Sequence, residues 1–191
     1  FQLNAQARLI PMQAQPGSID PNAIAARCGQ VTEDANGIRS PQEEHLNFGP
    51  RWRVLQRAAY GTGEGIATLA LPSEFRSDLA QGWLLHPALL DLATGWAMGL
   101  IAGYQPTNLW VPVSYASVKV YAPLPAQILS WVRNAGDNQA SGTMASFDIT
   151  LADPSGKICM EISGFTIHKL IGALAQKAPD ARELEFDDAD T

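Results

Sequence analysis

The sequence predicts an α+β fold in which a mostly antiparallel sheet wraps around one long apolar helix. The helix is indicated by an apolar run between Asp78 and Lys119, in which Asp91 is the only Asp, Glu, Lys or Arg. The sheet is indicated by segments on both sides of that run that alternate apolar and polar residues, the period typical of strands. Short turn patterns separate those segments, which favours hairpin connections.

Length and composition fit one globular domain. The chain has 191 residues, of which 46% are hydrophobic and 17% are charged, enough for a sizeable core. Residues 178–191 carry −5 of the net charge of −6, which leaves −1 for the rest. We expect residues 173–191 to be a solvated acidic tail. The nearly neutral remainder lacks the basic surface needed for nucleic acid or an anionic membrane.

The cysteines and the N-terminus bear on location. Cys28 and Cys159 lie far apart and form no CxxC or Cys/His pattern, so neither a disulfide framework nor a metal site is expected. A reducing cytoplasm is the expected location, because no signal peptide or membrane span is evident. The chain opens with Phe1 rather than Met, which suggests a piece of something longer.

Residues 1–40 are predicted to be the end of a preceding strand followed by a linker. Residues 1–9 alternate apolar and polar side chains with no turn before them. Residues 11–41 are rich in Pro, Gln, Asn and Ser, with one short helical patch at 22–27. This composition is typical of a linker that lies over a surface.

Residues 41–172 are predicted to be the folded unit, and a hairpin opens it. A strand runs through Ala59, and the glycines at positions 61, 63 and 65 turn the chain into a second strand at 66–71. No GK[ST] or GxGxxG pattern is completed, so a hairpin turn is favoured over a phosphate-binding loop.

Three arginines in the same region have the spacing of one strand face. Arg51, Arg53 and Arg57 would project together from a regular strand. They form either a solvated face or a docking patch for an acidic partner.

The helix is predicted to run from Pro87 to Ala102. Pro87 suits the first helical position, and apolar residues on all faces predict burial in a helix too short to span a membrane. Asp91 lies one turn in. Burial there would favour the neutral acid, while the helix N-terminus would favour the anion. An acid that holds a proton at neutral pH can donate it; the alternative is a structural hydrogen bond to nearby backbone.

The remaining elements are predicted strands at 110–120, 128–133, 143–151 and 158–170. In the third of these, Ala145, Phe147 and Ile149 share one face opposite polar neighbours. The turn Asp153-Pro154-Ser155-Gly156 then returns the chain into the last strand.

The hexapeptide His86-Pro87-Ala88-Leu89-Leu90-Asp91 at the helix start resembles the hot dog fold of polyketide synthase dehydratase domains. Phe48-Gly49-Pro50-Arg51-Trp52 resembles the YGPxF motif of that family, and Val111-Pro112-Val113-Ser114-Tyr115 resembles its LPFxW-like segment. Residues 163–167 resemble the closing strand. Such domains are double hot dogs, and this chain resembles the linker plus the C-terminal half.

The resemblance implies an enzyme that eliminates water from a β-hydroxyacyl thioester carried by an acyl carrier protein. A histidine of the N-terminal half removes the α-proton, and the Asp of the hexapeptide, here Asp91, protonates the departing hydroxyl. No cofactor is implied beyond the phosphopantetheine arm of the carrier protein. The implied partners are that carrier protein, the N-terminal half and a second copy in a homodimer. The implied substrate-binding residues are His86, Pro87, Phe48, Gly49, Pro50, Gly95, Val111 and Pro112.

Three departures from the family pattern limit this prediction. The family's base lies in an HxxxGxxxxP motif that this sequence lacks, so the chain is expected to hold half an active site. Gly95 stands where the family usually has Gln or His, one turn after the acid on the same helical face. Phe48 replaces the usual Tyr. His86 is interpreted as a residue that ties a loop to a strand rather than as a base.

Three other functions stay open. The first is a catalytically degenerate hot dog that shapes the synthase and docks the carrier protein, which Gly95 and Phe48 favour. The second is a hot dog thioesterase, although this hexapeptide is not its signature. The third is a double-bond isomerase, in which we would expect the acid itself to be altered.

Overall fold

The computed structural model describes residues 5–11 and 14–171, and those residues contain two α-helices and eight strands. In chain order they are α1 (Pro21–Ala25), β1 (Gln30–Glu33), β2 (Leu55–Tyr60), β3 (Glu64–Ala70), α2 (Pro87–Gly95), β4 (Trp110–Ser114), β5 (Ser117–Val120), β6 (Gln127–Asn134), β7 (Met144–Ala152) and β8 (Ile158–Lys169). Short 3-10 helices cover Pro41–Glu44, Pro50–Trp52, Ser73–Gln81 and Trp96–Leu100. No helix among the described residues is long and apolar enough to cross a membrane.

The strands form one antiparallel sheet with the order β1-β2-β3-β6-β7-β8-β4, and β5 also pairs with β8. The predicted hairpin is confirmed, since β2 and β3 pair antiparallel across the glycine turn. The predicted strand 110–120 is two strands. The break between β4 and β5 lies opposite Gly164 of β8. Gly164 has a φ of 60°, a left-handed backbone conformation that residues with a side chain rarely adopt. A Cβ there would lie 2.8 Å from the Cβ of Ala116.

One face of the sheet packs against α2, in agreement with the predicted α+β fold. Ala88, Leu89, Leu92 and Ala93 are buried against β3 and β6 and join the main core. Burial of this stripe stabilises the helix, which is too short to be stable alone.

The helix is shorter than predicted. It ends at Gly95, continues as the 3-10 helix Trp96–Leu100, and becomes extended at Ile101. Glycine costs a helix interior about 1 kcal/mol relative to alanine, and Gly95 and Gly99 fall in this stretch. Gly99 also packs where no side chain fits, because a Cβ would lie 2.4 Å from the Tyr60 hydroxyl.

The N-terminal predictions are partly wrong. Residues 5–9 form no strand and are exposed, and residues 1–4 lie outside the described residues. The predicted linker contains α1, capped by the Asp20 side chain, and β1, which pairs with β2 as part of the sheet. All four residues of β1 are exposed, so hydrophobic alternation could not reveal it. The acidic tail 173–191 lies outside the described residues.

The three arginines do not form a strand face. Arg51 belongs to the 3-10 helix Pro50–Trp52, and Arg53 precedes β2, so only Arg57 lies on the strand. Arg51 forms an ion pair of 2.6 Å with Asp78, and Arg53 forms an ion pair with Glu43.

Candidate active site

A cleft of about 120 Å³ opens between α2, the loop before β2, and strands β4 and β8. Its walls are mostly apolar and include Met98, Leu109, Trp110, Phe165 and Ile167. Five residues singled out from the sequence lie on this cleft: Phe48, Asp91, Gly95, Val111 and Pro112. The fold therefore brings together residues that are up to 64 positions apart in sequence.

Asp91 is exposed, so its predicted burial is wrong. Pro87, Asp91 and Gly95 recur every four residues and lie along one side of α2. That side borders the cleft and solvent, whereas the buried residues pack against β3 and β6. Apolar residues around the whole helix therefore did not imply that the rest of the fold buries every face of the helix. The carboxyl lies at the wall of the cleft and remains open to solvent.

One side chain fixes the carboxyl of Asp91. The indole Nε1 of Trp52 donates a hydrogen bond of 2.7 Å to Oδ2 of Asp91. Trp52 ends the 3-10 helix Pro50–Trp52, which packs against α2. The ring of Phe48 stacks against the Trp52 ring with centroids 6.4 Å apart. Sequence reasoning missed this contact, because the motif indicated an aromatic residue at this position and not its partner.

Gly95 leaves space beside the acid. A Cβ placed on Gly95 would meet no heavy atom within 4 Å outside the helix's own backbone. The φ of Gly95 is −69°, an ordinary helical value, so the backbone at this position does not require glycine. The position therefore tolerates a side chain that this sequence does not supply.

His86 and Pro87 lie beside the Asp91 cleft rather than on it. They line a neighbouring depression of about 190 Å³ together with Trp52, Asp78 and Trp83. His86 is 2% exposed, and its Nε2 lies 3.3 Å from Oδ2 of Asp78. It thus ties the start of α2 to the 3-10 helix Ser73–Gln81, not to a strand as predicted. The Arg51 hydrogen bond, assisted by that of His86, holds the pKa of Asp78 below its ordinary value.

Gly49 and Pro50 do not line the Asp91 cleft or its neighbour among the described residues. Both are exposed, and they begin the 3-10 helix that carries Trp52. Pro50 occupies the first position of that helix, where its missing N–H costs nothing. Their substrate contact stays a prediction, and in the structure they place Trp52.

Two further polar groups near Asp91 were missed from the sequence. Gln42 is 7% exposed, lines the cleft, and donates through Nε2 to the carbonyl of Trp110 at 2.6 Å. Tyr115 packs its ring on Phe165. Burial raises the pKa of the Tyr115 phenol, and the negative charge of Asp91 raises it further. The carboxyl is therefore the nearby charge that this phenol senses.

An antiparallel sheet wrapped around one central helix defines a hot dog domain, and comparison with known proteins identifies which kind. Residues 17–177 match the family described as "Polyketide synthase dehydratase N-terminal domain". The chain belongs to this polyketide synthase dehydratase family.

Individual relatives agree with this family. The polyketide synthase PksM of Bacillus subtilis (strain 168) is 28% identical over 177 residues, which cover 89% of this chain and 4% of PksM. PksN from the same strain is 25% identical over 121 residues, or 63% of this chain and 2% of PksN. The chain thus spans a small part of the synthases that it resembles.

Solved structures confirm the predicted hot dog fold. The dehydratase domain from the CurF module of the curacin polyketide synthase superimposes with a TM-score of 0.70 at 22% identity. This match covers 85% of this chain and 56% of that one. A trans-AT dehydratase domain from Brevibacillus brevis gives a TM-score of 0.68 at 25% identity, covering 83% and 55% respectively. The chain therefore spans just over half of each solved domain.

Proposed function

We propose that this chain is the C-terminal half of a dehydratase that eliminates water from a β-hydroxyacyl thioester on an acyl carrier protein. Asp91 protonates the departing hydroxyl, and a histidine of the N-terminal half removes the α-proton. The observation that carries this proposal is the position of the Asp91 carboxyl on the wall of an apolar cleft. The matched family is named for the N-terminal domain, so the choice of half rests on the hexapeptide ending in Asp91 and on the missing HxxxGxxxxP motif.

The chemistry of the cleft suits this reaction. Apolar walls accommodate an acyl chain, and a single carboxyl at the wall can act as general acid toward a hydroxyl on that chain. The thioester acidifies the α-carbon, so the reaction requires no cofactor besides the phosphopantetheine that carries the substrate. Solved CurK dehydratases are described as inactive when carrying an Asp-to-Asn change or a His-to-Phe change. That enzyme therefore offers a precedent for an acid and a histidine acting together.

Exposed apolar side chains support a partner that covers the Asp91 face. Leu46 of the cleft is 41% exposed, and Trp83 of the neighbouring depression is 48% exposed. Val113 and Tyr115, which follow the cleft residue Pro112, are 52% and 49% exposed. Clustered exposed apolar surface is typical of a contact site. An N-terminal half seated there would exclude water from Asp91, the condition in which a carboxylic acid keeps its proton.

A catalytically degenerate hot dog is the alternative. Gly95 offers no side chain to Asp91, and Phe48 brings no hydroxyl to the cleft. Such a domain would shape the synthase and dock the carrier protein without catalysis. The preceding sequence discriminates between the two, because an HxxxGxxxxP motif there favours catalysis.

The proposed setting is a cytoplasmic synthase in which the complete dehydratase is a homodimer. Cys28 and Cys159 are free and buried, which fits a reducing compartment. The acyl carrier protein is the proposed partner because it delivers the thioester.

Reconstitution tests this function. The complete dehydratase domain, comprising this chain and its N-terminal half, is incubated with β-hydroxyacyl carrier proteins of several chain lengths. Mass spectrometry then follows loss of one water from the acyl group. We expect water loss with the complete domain and none with this chain alone. Product from this chain alone would contradict the half-site, and binding of the carrier protein without product would favour the degenerate domain.

A further inference from the structure

The hydrogen bond between Trp52 and Asp91 has a consequence for the location of the acid's proton. Among the residues that the structure describes, Trp52 is the only one whose side chain donates to the Asp91 carboxyl, at 2.7 Å. An indole N–H can donate but cannot accept. Oδ2 of Asp91 is therefore the acceptor in this bond, which favours Oδ1 as the site of the proton in the acid form, because a protonated oxygen is the weaker acceptor.

The sequence explains why such a donor is needed in this chain. Gly95 lies one turn after Asp91 on the same side of α2, and nothing fills the space beside it. The family that this chain resembles usually has Gln or His at that position. The YGPxF motif ends in Phe, whose ring has no N–H, whereas this chain has Trp52 at that point.

We propose that Trp52 is the positioning residue of Asp91, supplying from the 3-10 helix Pro50–Trp52 the hydrogen bond that Gly95 cannot supply. This inference rests on the proposed dehydratase function. As the carbon–oxygen bond of the β-hydroxyl breaks, the proton on Oδ1 of Asp91 moves to the departing oxygen and water leaves. The α-proton moves to the histidine of the N-terminal half, and the electron pair of its C–H bond forms the alkene.

The indole is well placed to hold one orientation. Trp52 stacks on Phe48, and Pro50 restricts the backbone at the start of its 3-10 helix. The 3-10 helix also packs directly on α2. A donor that is rigid before substrate binds loses little entropy when the acid acts.

Trp52→Phe tests the role in the complete dehydratase domain, because it keeps an aromatic ring and removes the N–H donor. Trp131→Phe is the matched control, since the Trp131 indole donates to Glu64 at 3.0 Å and not to Asp91. We expect Trp52→Phe to lower kcat about tenfold with little change in KM. Trp131→Phe should leave kcat unchanged. Trp52→Phe combined with Gly95→Gln should recover most of the lost rate.

Two results would overturn the inference. One is a Trp52→Phe domain with unchanged kcat, and the other is a lower kcat that Gly95→Gln does not restore in a variant of normal thermal stability. A wild-type domain that loses no water would instead contradict the proposed function. In that case the contact is measured directly in the 191-residue chain by ¹⁵N NMR of the indole N–H groups. Asp91→Ala should shift the Trp52 indole signal and speed its hydrogen exchange, leaving Trp131 unchanged; an unmoved Trp52 signal would refute the contact.

Discussion

The indole Nε1 of Trp96 donates a hydrogen bond of 3.0 Å to the hydroxyl of Ser130 on β6. That hydroxyl in turn donates to the carbonyl of Ala93 in α2 at 2.7 Å. Ser130 is completely buried and Trp96 is 3% exposed. This pair links the end of α2 to β6, the central strand of the sheet.

We predict that Ser130→Ala lowers the free energy of unfolding by about 1–3 kcal/mol, because the Trp96 N–H would be buried without a partner. Urea unfolding of the variant and wild type measures the difference. Ser117→Ala on the exposed strand β5 is the control and should change stability by less than about 0.5 kcal/mol. Equal stability of the two variants would show that the buried bond contributes nothing.

Gly65 and Gly95 should respond in opposite ways to alanine. A Cβ at Gly65 would lie 2.8 Å from the Ala59 carbonyl oxygen and 2.9 Å from the Trp96 ring, whereas Gly95 has open space. We predict that Gly65→Ala destabilises by about 1–3 kcal/mol. Gly95→Ala should stabilise by up to about 1 kcal/mol through helix propensity. Thermal unfolding measures both, and a destabilised Gly95→Ala variant would contradict the open space beside Asp91.

Acid should destabilise the fold partly through Glu64. Its carboxylate binds Arg27 at 2.6 Å and accepts from the Trp131 indole at 3.0 Å. The Arg27 hydrogen bond is the largest cause that holds the pKa of Glu64 below its ordinary value of 4.5, with a smaller contribution from Trp131. A carboxyl with a lower pKa in the folded state stabilises above its unfolded pKa, and this stability is lost as the pH falls through the folded pKa.

Glu64→Gln should therefore reduce the loss of stability below about pH 4.5. Urea unfolding of wild type and variant at neutral pH and in mild acid gives the comparison. The control is Glu33→Gln on the exposed strand β1. Glu33 forms no side-chain ion pair among the described residues, so this variant should keep the wild-type pH dependence. An identical loss in acid for all three proteins would contradict the role of Glu64.

The parts of the fold predicted from sequence are those with a strong local pattern. The hairpin around Gly63 and the alternation of Ala145, Phe147 and Ile149 in β7 are confirmed. Strand β1 was missed, since all its residues are exposed and no alternation marks it. The local pattern also placed the end of the helix too far along the chain. The close approach of Gly99 to Tyr60 is a tertiary contact, which a local pattern does not contain.

The sequence predicted which residues line the candidate site better than it predicted their burial and their hydrogen bonds. The hexapeptide located Asp91, and the motif before β2 located Phe48, and both line the same cleft. Exposure of Asp91 could not be predicted, since it depends on which side of α2 the sheet covers. The donor to its carboxyl lies 39 positions away in the chain, a distance that helical and strand periodicity do not bridge.

The role of Asp91 is tested most directly by Asp91→Asn in the complete dehydratase domain, with Asp137→Asn in an exposed loop as the control. The measurement is the rate of water loss from the carrier-bound β-hydroxyacyl substrate. We predict that Asp91→Asn lowers this rate at least about 100-fold while the unfolding temperature stays near wild type, because shape is kept and the transferable proton is lost. Water loss at the wild-type rate by the Asp91→Asn domain would contradict the assignment of Asp91 as the proton donor.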